Sequence, residues 1–398
     1  MAGRGRGASR SAGVARCAGR SVLWALPLAL LLTDGCSDRP STEASLAGAG
    51  GGVRLTRELQ RQALEPLRDS LRRSLSAPGR VQVLALSGGG QWGAFGAGFL
   101  KGWTRRGDRP PEFEVVTGTS TGSLQATFAF LGSDFDETLG RGYLDIRGDA
   151  DVMDKRFLLT AALFGDALAS TGPLRSRLEA QITDAVLTRV AAEGAKNRQL
   201  YVGAADLGSG AFRAFDLTAI AARGAGARKD YVDALMASTA IPVAFPPVEI
   251  GGQTYVDGGV RRNIFLELVV EELARLRKAE IARGLVEPQA TVYCLVNGTL
   301  DVGQQAVKRR TIDIGRRSVD ILLDESTDGN LLRIYLLAQR AGLRFLMTRI
   351  PPDVCKVVGS AENQFDPQLM KCLYDEGEKW GQRDDAWSTE PPLEGTGP

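Results

Sequence analysis

From residue 80 onward, apolar and polar positions alternate in blocks along this chain. Val81–Leu86 is a short run rich in Val and Leu, which predicts a buried strand. A glycine-rich break follows, then a helix over Ala94–Trp103, where Gly96 and Gly98 suit close packing on a sheet. Phe113–Val116 predicts a second strand and Thr121–Leu131 a second helix. Further strands are expected at Gln199–Ala205, Thr254–Val256 and Thr291–Val296, with Phe212–Phe215 pairing after a Gly208-Ser209-Gly210 turn. Helices are expected over Tyr231–Thr239 and Phe265–Leu285, and helical segments with a late strand over Ala306–Arg349. Alternation of this kind predicts an α/β fold: a mostly parallel central sheet covered by helices on both faces. No internal repeat is visible.

The flanks have a different texture. Arg4, Arg6, Arg10, Arg16 and Arg20 precede an apolar run of eleven residues, Val22–Leu32. That run is too short to span a bilayer and suits the apolar region of a signal peptide, so residues 1–35 are read as an export signal. The sequence Thr33-Asp34-Gly35-Cys36 resembles the lipobox of bacterial lipoproteins, which makes Cys36 a lipidation candidate. The family's usual Leu three residues before the Cys is Thr33 here, and cleavage without lipidation stays open. The chain is therefore expected to be exported, either as a membrane-anchored lipoprotein or as a periplasmic or secreted protein. Residues 36–53 read as a flexible linker and 54–79 as an amphipathic helix. Residues 301–376 read as a helical extension of the main body, and the polar stretch 377–398 as a disordered tail.

Composition narrows the picture. Hydrophobic residues make up 43% and charged residues 24%, a globular balance. Five of the 49 basic and one of the 47 acidic residues fall in the first 35, which leaves a near-neutral body of 44 against 46. No nucleic-acid footprint appears in that balance. Of the five cysteines, Cys294 sits in an apolar run and reads as a buried thiol, while Cys355 and Cys372 are candidates for a disulfide in an oxidising compartment. The chain has no histidine. That excludes a Ser-His-Asp triad and every zinc site built on imidazole.

Three motifs carry the candidate chemistry. Ser87-Gly88-Gly89-Gly90-Gln91-Trp92-Gly93 lies between a strand and a helix. Its bare N–H groups at a helix start suit an anion, either a phosphate or an oxyanion. No Gly-Lys-Ser/Thr follows, so it is not a nucleotide P-loop. Gly118-Thr119-Ser120-Thr121-Gly122 also joins a strand to a helix, the setting of a nucleophile elbow, although a Ser or Thr helix cap would look similar. Tyr255-Val256-Asp257-Gly258-Gly259 ends a strand on an acid. A carboxylate within reach of Ser120 could serve as the missing base. An Asp-Gly pair is otherwise an ordinary turn signal, and other acids remain candidates.

Taken in this order and spacing, the three motifs resemble the patatin-like phospholipase family. So do Ala237–Pro247 ahead of the Asp and Asn263 after it. The resemblance covers about residues 80–300 and implies a three-layer patatin-like sandwich. It implies Ser120 as nucleophile, Asp257 as base, and the N–H groups of Gly88, Gly89 and Gly90 as oxyanion hole. Gly93, Gly118, Gly122, Gly258 and Gly259 support the motifs. It also implies lipid or phospholipid ester hydrolysis, a membrane surface as the working partner, and no metal or cofactor. An apolar acyl tunnel is expected, lined by helices near 121–131 and 155–170. Trp92 departs from the family, which often has Arg or Lys there. A carboxylesterase or thioesterase on the same dyad, or a non-catalytic lipid- or nucleotide-binding protein, are the alternative readings.

Overall fold

The computed structural model describes residues 65–75, 80–155, 167, 169–284, 289–300, 307–356, 358 and 364–392. All of them belong to one compact unit, Gln60–Pro398. The export signal, Cys36, the 36–53 linker and the expected helix before residue 65 lie outside the described residues.

The strands in chain order are β1 (Arg80–Leu86), β2 (Val115–Thr119), β3 (Asp154–Lys155), β4 (Ala169–Ser170) and β5 (Gln199–Asp206). They continue with β6 (Phe212–Asp216), β7 (Val248–Ile250), β8 (Gln253–Asp257), β9 (Gln289–Leu295) and β10 (Arg344–Thr348). The main sheet runs β10-β9-β1-β2-β5-β8-β7, with β6 also on β5. The five strands from β10 to β5 are parallel, and β6, β7 and β8 attach antiparallel. β3 and β4 form a separate two-stranded ribbon.

Successive side chains of a strand point to opposite faces, and here both faces are apolar. Leu84 and Leu86 of β1 enter one core cluster, while Val81, Val83 and Ala85 enter the other. Tyr293 and Leu295 of β9 divide from Val292 and Cys294 in the same way. Helices Gly93–Arg106, Thr121–Leu131 and Pro367–Gly381 cover the first face. Helices at residues 65–75, Glu267–Ala282 and Thr311–Ala341 cover the second. The result is the expected mixed α/β architecture with helices on both sides of a mostly parallel sheet. Among the described residues no helix is long and apolar enough to cross a membrane.

Several boundaries and roles differ from the sequence reading. The second strand is Val115–Thr119 rather than Phe113–Val116. Its small polar residues Thr117–Thr119 are held by register with β1 and β5, which apolar patterning does not register. Gly98 faces not the sheet but the C-terminal helix: a Cβ there would stand 2.0 Å from the Tyr374 carbonyl oxygen. Gly102, Gly377 and Gly381 meet the opposing backbone just as closely, so these two helices touch main chain to main chain.

Residues 377–392 of the expected disordered tail are ordered, a correction; 393–398 lie outside the described residues. The helix runs through to Gly381, and Trp387 packs 4.7 Å from Trp103, 5.2 Å from Phe99 and 5.2 Å from Tyr293, centroid to centroid. Ser388 and Met347 exchange both backbone hydrogen bonds at 2.8 Å. Trp380 and the adjacent pair Ala386-Trp387 stand alone in a polar stretch, so no periodic signal announced the packing. Cys355 and Cys372 form a disulfide with Cα atoms 6.1 Å apart, and Cys294 is a buried free thiol whose pKa burial pushes up.

Candidate active site

Strand register brings the three motifs together. Leu86 of β1 is level with Gly118 of β2, so the glycine loop and Ser120 leave the carboxyl ends of adjacent parallel strands. Thr119 is level with Gly203 of β5, and the next residue of β5, Ala204, pairs with Asp257 at the end of β8. Crevices at the carboxyl ends of parallel strands are where α/β folds place ligands.

Ser120 sits at φ 52° and ψ −126°, a backbone region that residues with a side chain rarely adopt. Neighbouring groups hold it there. Its N–H donates to Ser238 Oγ at 3.1 Å, and Ser238 in turn donates to the Gly203 carbonyl at 2.6 Å. Its carbonyl accepts from the Ser123 N–H at 2.9 Å and the Ser123 hydroxyl at 2.6 Å. The turn is tight enough that Gly118 and Gly122 admit no side chain. A Cβ at Gly122 would lie 2.3 Å from the Leu86 carbonyl oxygen, and one at Gly118 would lie 2.3 Å from the Gly122 carbonyl oxygen. Ser120 thus faces outward at the start of helix Thr121–Leu131 while remaining 6% exposed.

Asp257 is fully enclosed. Burial raises its carboxyl from the ordinary aspartate value to about 6, against the opposing pull of the Gly259 N–H and the Ser120 hydroxyl. Oδ1 accepts the Gly259 N–H at 2.7 Å. Oδ2 is buried and takes no hydrogen bond of normal geometry, although the Ser120 hydroxyl is near enough to act on the carboxyl. Catalytic hydrogen bonds are often long before substrate arrives. Gly258 and Gly259 are required by close approach: a Cβ at Gly258 would stand 2.4 Å from the Gly203 carbonyl oxygen. Thr117 and Thr119 of β2 donate to the carbonyls of Phe265 and Arg262, stitching the segment after Asp257 to the strand that carries Ser120.

The glycine loop is braced from outside the motifs. Asn297, just past β9, donates its N–H to Ser87 Oγ at 2.8 Å and its amide to the Ser87 carbonyl at 2.7 Å. It also bonds Gln125 of the Ser120 helix, whose amide donates to the Gly93 carbonyl at 2.7 Å. Gly93 lies so close to that helix that a Cβ would stand 2.2 Å from Thr121 Oγ1. The Gly88 N–H donates to the Asn263 carbonyl at 2.9 Å. Gly88 therefore has no open donor, a correction to the three-donor expectation. Among the described residues the Gly89 and Gly90 N–H groups meet no protein acceptor. Gly90 adopts φ 56° with open space above it and lines the same cleft as Ser120. Trp92 is half-buried against the first core cluster rather than directed at solvent.

That cleft encloses about 70 Å³. Its walls are mostly apolar: Leu124 and Phe128 come from the Ser120 helix, and Leu139 and Tyr143 from helix Asp136–Leu144. Leu174 and Leu178 come from helix Gly172–Gln181, together with the polar Arg177 and Gln181, and Ile241, Phe245 and Phe365 also face the cleft. The expected contribution of residues 121–131 is present. Residues 156–166 and 168 lie outside the described residues; helices 136–144 and 172–181 also line the cleft.

Sequence reasoning missed Ser238, Ser123, Gln125 and Asn297. Their signal is non-local: each is an unremarkable polar residue until the fold brings it against the loop or elbow. Ser238 lies within the Ala237–Pro247 stretch already singled out.

Residues 84–270 match the family model of the patatin-like phospholipases, so a domain of that kind is present in the chain. Among solved structures, the crystal structure of VipD from Legionella pneumophila is similar to this chain at 13% identity and a TM-score of 0.35. That alignment covers 79% of this chain and 68% of that one. No curated protein matches.

Proposed function

We propose that the patatin-like phospholipase domain of this chain is a lipid acyl hydrolase working through a Ser120–Asp257 dyad and an acyl-enzyme. The observation that carries the reading is the pairing, at the head of an apolar cleft, of a serine held at φ 52° with a buried carboxyl raised to about 6. A serine needs a base, and in a chain without histidine the enclosed carboxyl beside it fits that need. Asp257 takes the Ser120 proton as the hydroxyl attacks the ester carbonyl. The oxyanion forms against the Gly89 and Gly90 N–H groups, each worth about 10²–10³ in rate. Asp257 returns the proton to the leaving alcohol, and water then cleaves the acyl-enzyme with Asp257 again as base.

The predominantly apolar lining beside Ser120 suits the hydrocarbon of an acyl group. Export through residues 1–35, either as a lipoprotein anchored through Cys36 or as a periplasmic or secreted protein, is part of the same proposal. The Cys355–Cys372 disulfide supports an oxidising compartment.

The test is hydrolysis of nitrophenyl esters and of a lipid panel by the purified protein beside Ser120→Ala and Asp257→Asn. Both variants, folded by circular dichroism, are expected to lose about 10³-fold or more in kcat. Full activity in Asp257→Asn would remove the base assignment.

A further inference from the structure

Helix Gly172–Gln181 turns one face to the cleft, and that face is not uniformly apolar. Positions 174, 177, 178 and 181 fall on one side of a helix, and all four line the cleft. Two are leucines; the others are Arg177 and Gln181. Arg177 is the one charged side chain in the lining among the described residues. A guanidinium carries five N–H donors. Here it makes a single hydrogen bond, from Nη2 to the Gly142 carbonyl at 3.3 Å. The Gln181 amide lies against the same glycine.

Among the described residues no carboxylate stands at ion-pair distance from this cation. Asp151 feels its charge, but that carboxylate is committed to Arg147 through Nε at 3.1 Å, Nη2 at 3.0 Å and the backbone N–H at 2.8 Å. A part-buried arginine in an apolar wall is costly without a partner anion, and its planar fork suits phosphate and carboxylate oxygens.

We infer that Arg177, with Gln181 beside it, forms an anion-binding subsite in the acyl cleft. It takes the oxygens of a phosphate or carboxylate on the lipid and so selects an anion-bearing lipid over an uncharged glyceride. The inference rests on the lipid acyl hydrolase reading of the cleft. Two sources supply such an anion: the headgroup phosphate of the substrate and the carboxylate of a released fatty acid.

Binding to the full chain carrying Ser120→Ala separates these without depending on turnover. Calorimetry with lauroyl lysophosphatidylcholine, monolauroylglycerol and laurate would be run with and without a second change, Arg177→Gln. A loss of about tenfold or more for the lysophospholipid, with the glyceride unchanged, establishes the subsite with the headgroup as its source. The same loss confined to laurate establishes it with the product as source. Equal losses on all three ligands, or none, overturn it. Arg177→Lys keeps the charge without the fork and is expected to recover part of the lost affinity; its melting temperature, beside that of Arg177→Gln, separates misfolding from lost recognition. An absence of ester and lipid hydrolysis by the chain with Ser120 intact would remove the hydrolase reading while leaving the binding result standing.

Discussion

Burial sets the Asp257 carboxyl at about 6, and that single value ties activity to stability in opposite senses. In its proposed role as base it must be ionised, so kcat/KM is expected to rise with pH, with unit slope, through about 6 and then level. With no imidazole in the chain, no histidine adds a second limb between pH 5 and 8. For stability, a carboxyl whose folded pKa lies above its unfolded value binds its proton more tightly in the fold. Its stabilising share is complete below the unfolded value of 3.8 and is lost as pH rises through 6. At pH 8 the ionised form therefore costs about 3 kcal/mol. Asp257→Asn should be inactive yet more stable than the wild type at pH 8, with the advantage gone near pH 3. Urea titrations at both values measure it; a variant less stable at pH 8 would contradict the burial account. Ser120 and Asp257 were legible in the sequence because glycines required by close approach mark both turns. Ser238 was not, because its role depends on standing beside Gly203, 35 residues away.

Among the elements, the strands with continuous Val and Leu runs were readable, since burial on both faces leaves no polar interruption. Helices Asp136–Leu144 and Asp184–Ala195 were not, because in each only a few positions are buried. The Ser87–Asn297–Gln125 network belongs to this scale too, since it locks β1, β9 and the Ser120 helix to one another. Asn297→Ala leaves the Ser87 carbonyl and the Gln125 amide buried without their partner. The expected cost is about 2–4 kcal/mol in unfolding free energy. As the loop loosens, kcat should fall about tenfold or more while KM for a lipid ester stays near the wild type. Chemical denaturation and steady-state kinetics on the same sample check both numbers. An equal change in KM would place the damage in the cleft instead.

At the scale of the whole molecule, the matched segment and the folded body are not the same object. The family model ends at residue 270, while β9, β10, Asn297 and the C-terminal helix that meets Gly98 and Gly102 all come later. β1 lies between β2, its near neighbour in sequence, and β9, about two hundred residues further on. Non-local pairings of this kind close late, because the loop entropy must be spent before the contact forms. The brace on the glycine loop hangs on that strand, so the proposed hydrolytic activity is expected to arrive at the end of folding rather than along the way. In refolding from denaturant, ester hydrolysis should return after the far-ultraviolet circular dichroism signal, and simultaneous recovery would contradict this order. A chain caught half-assembled would then hold its serine and its acid close together with no braced loop standing ready to meet a developing negative charge.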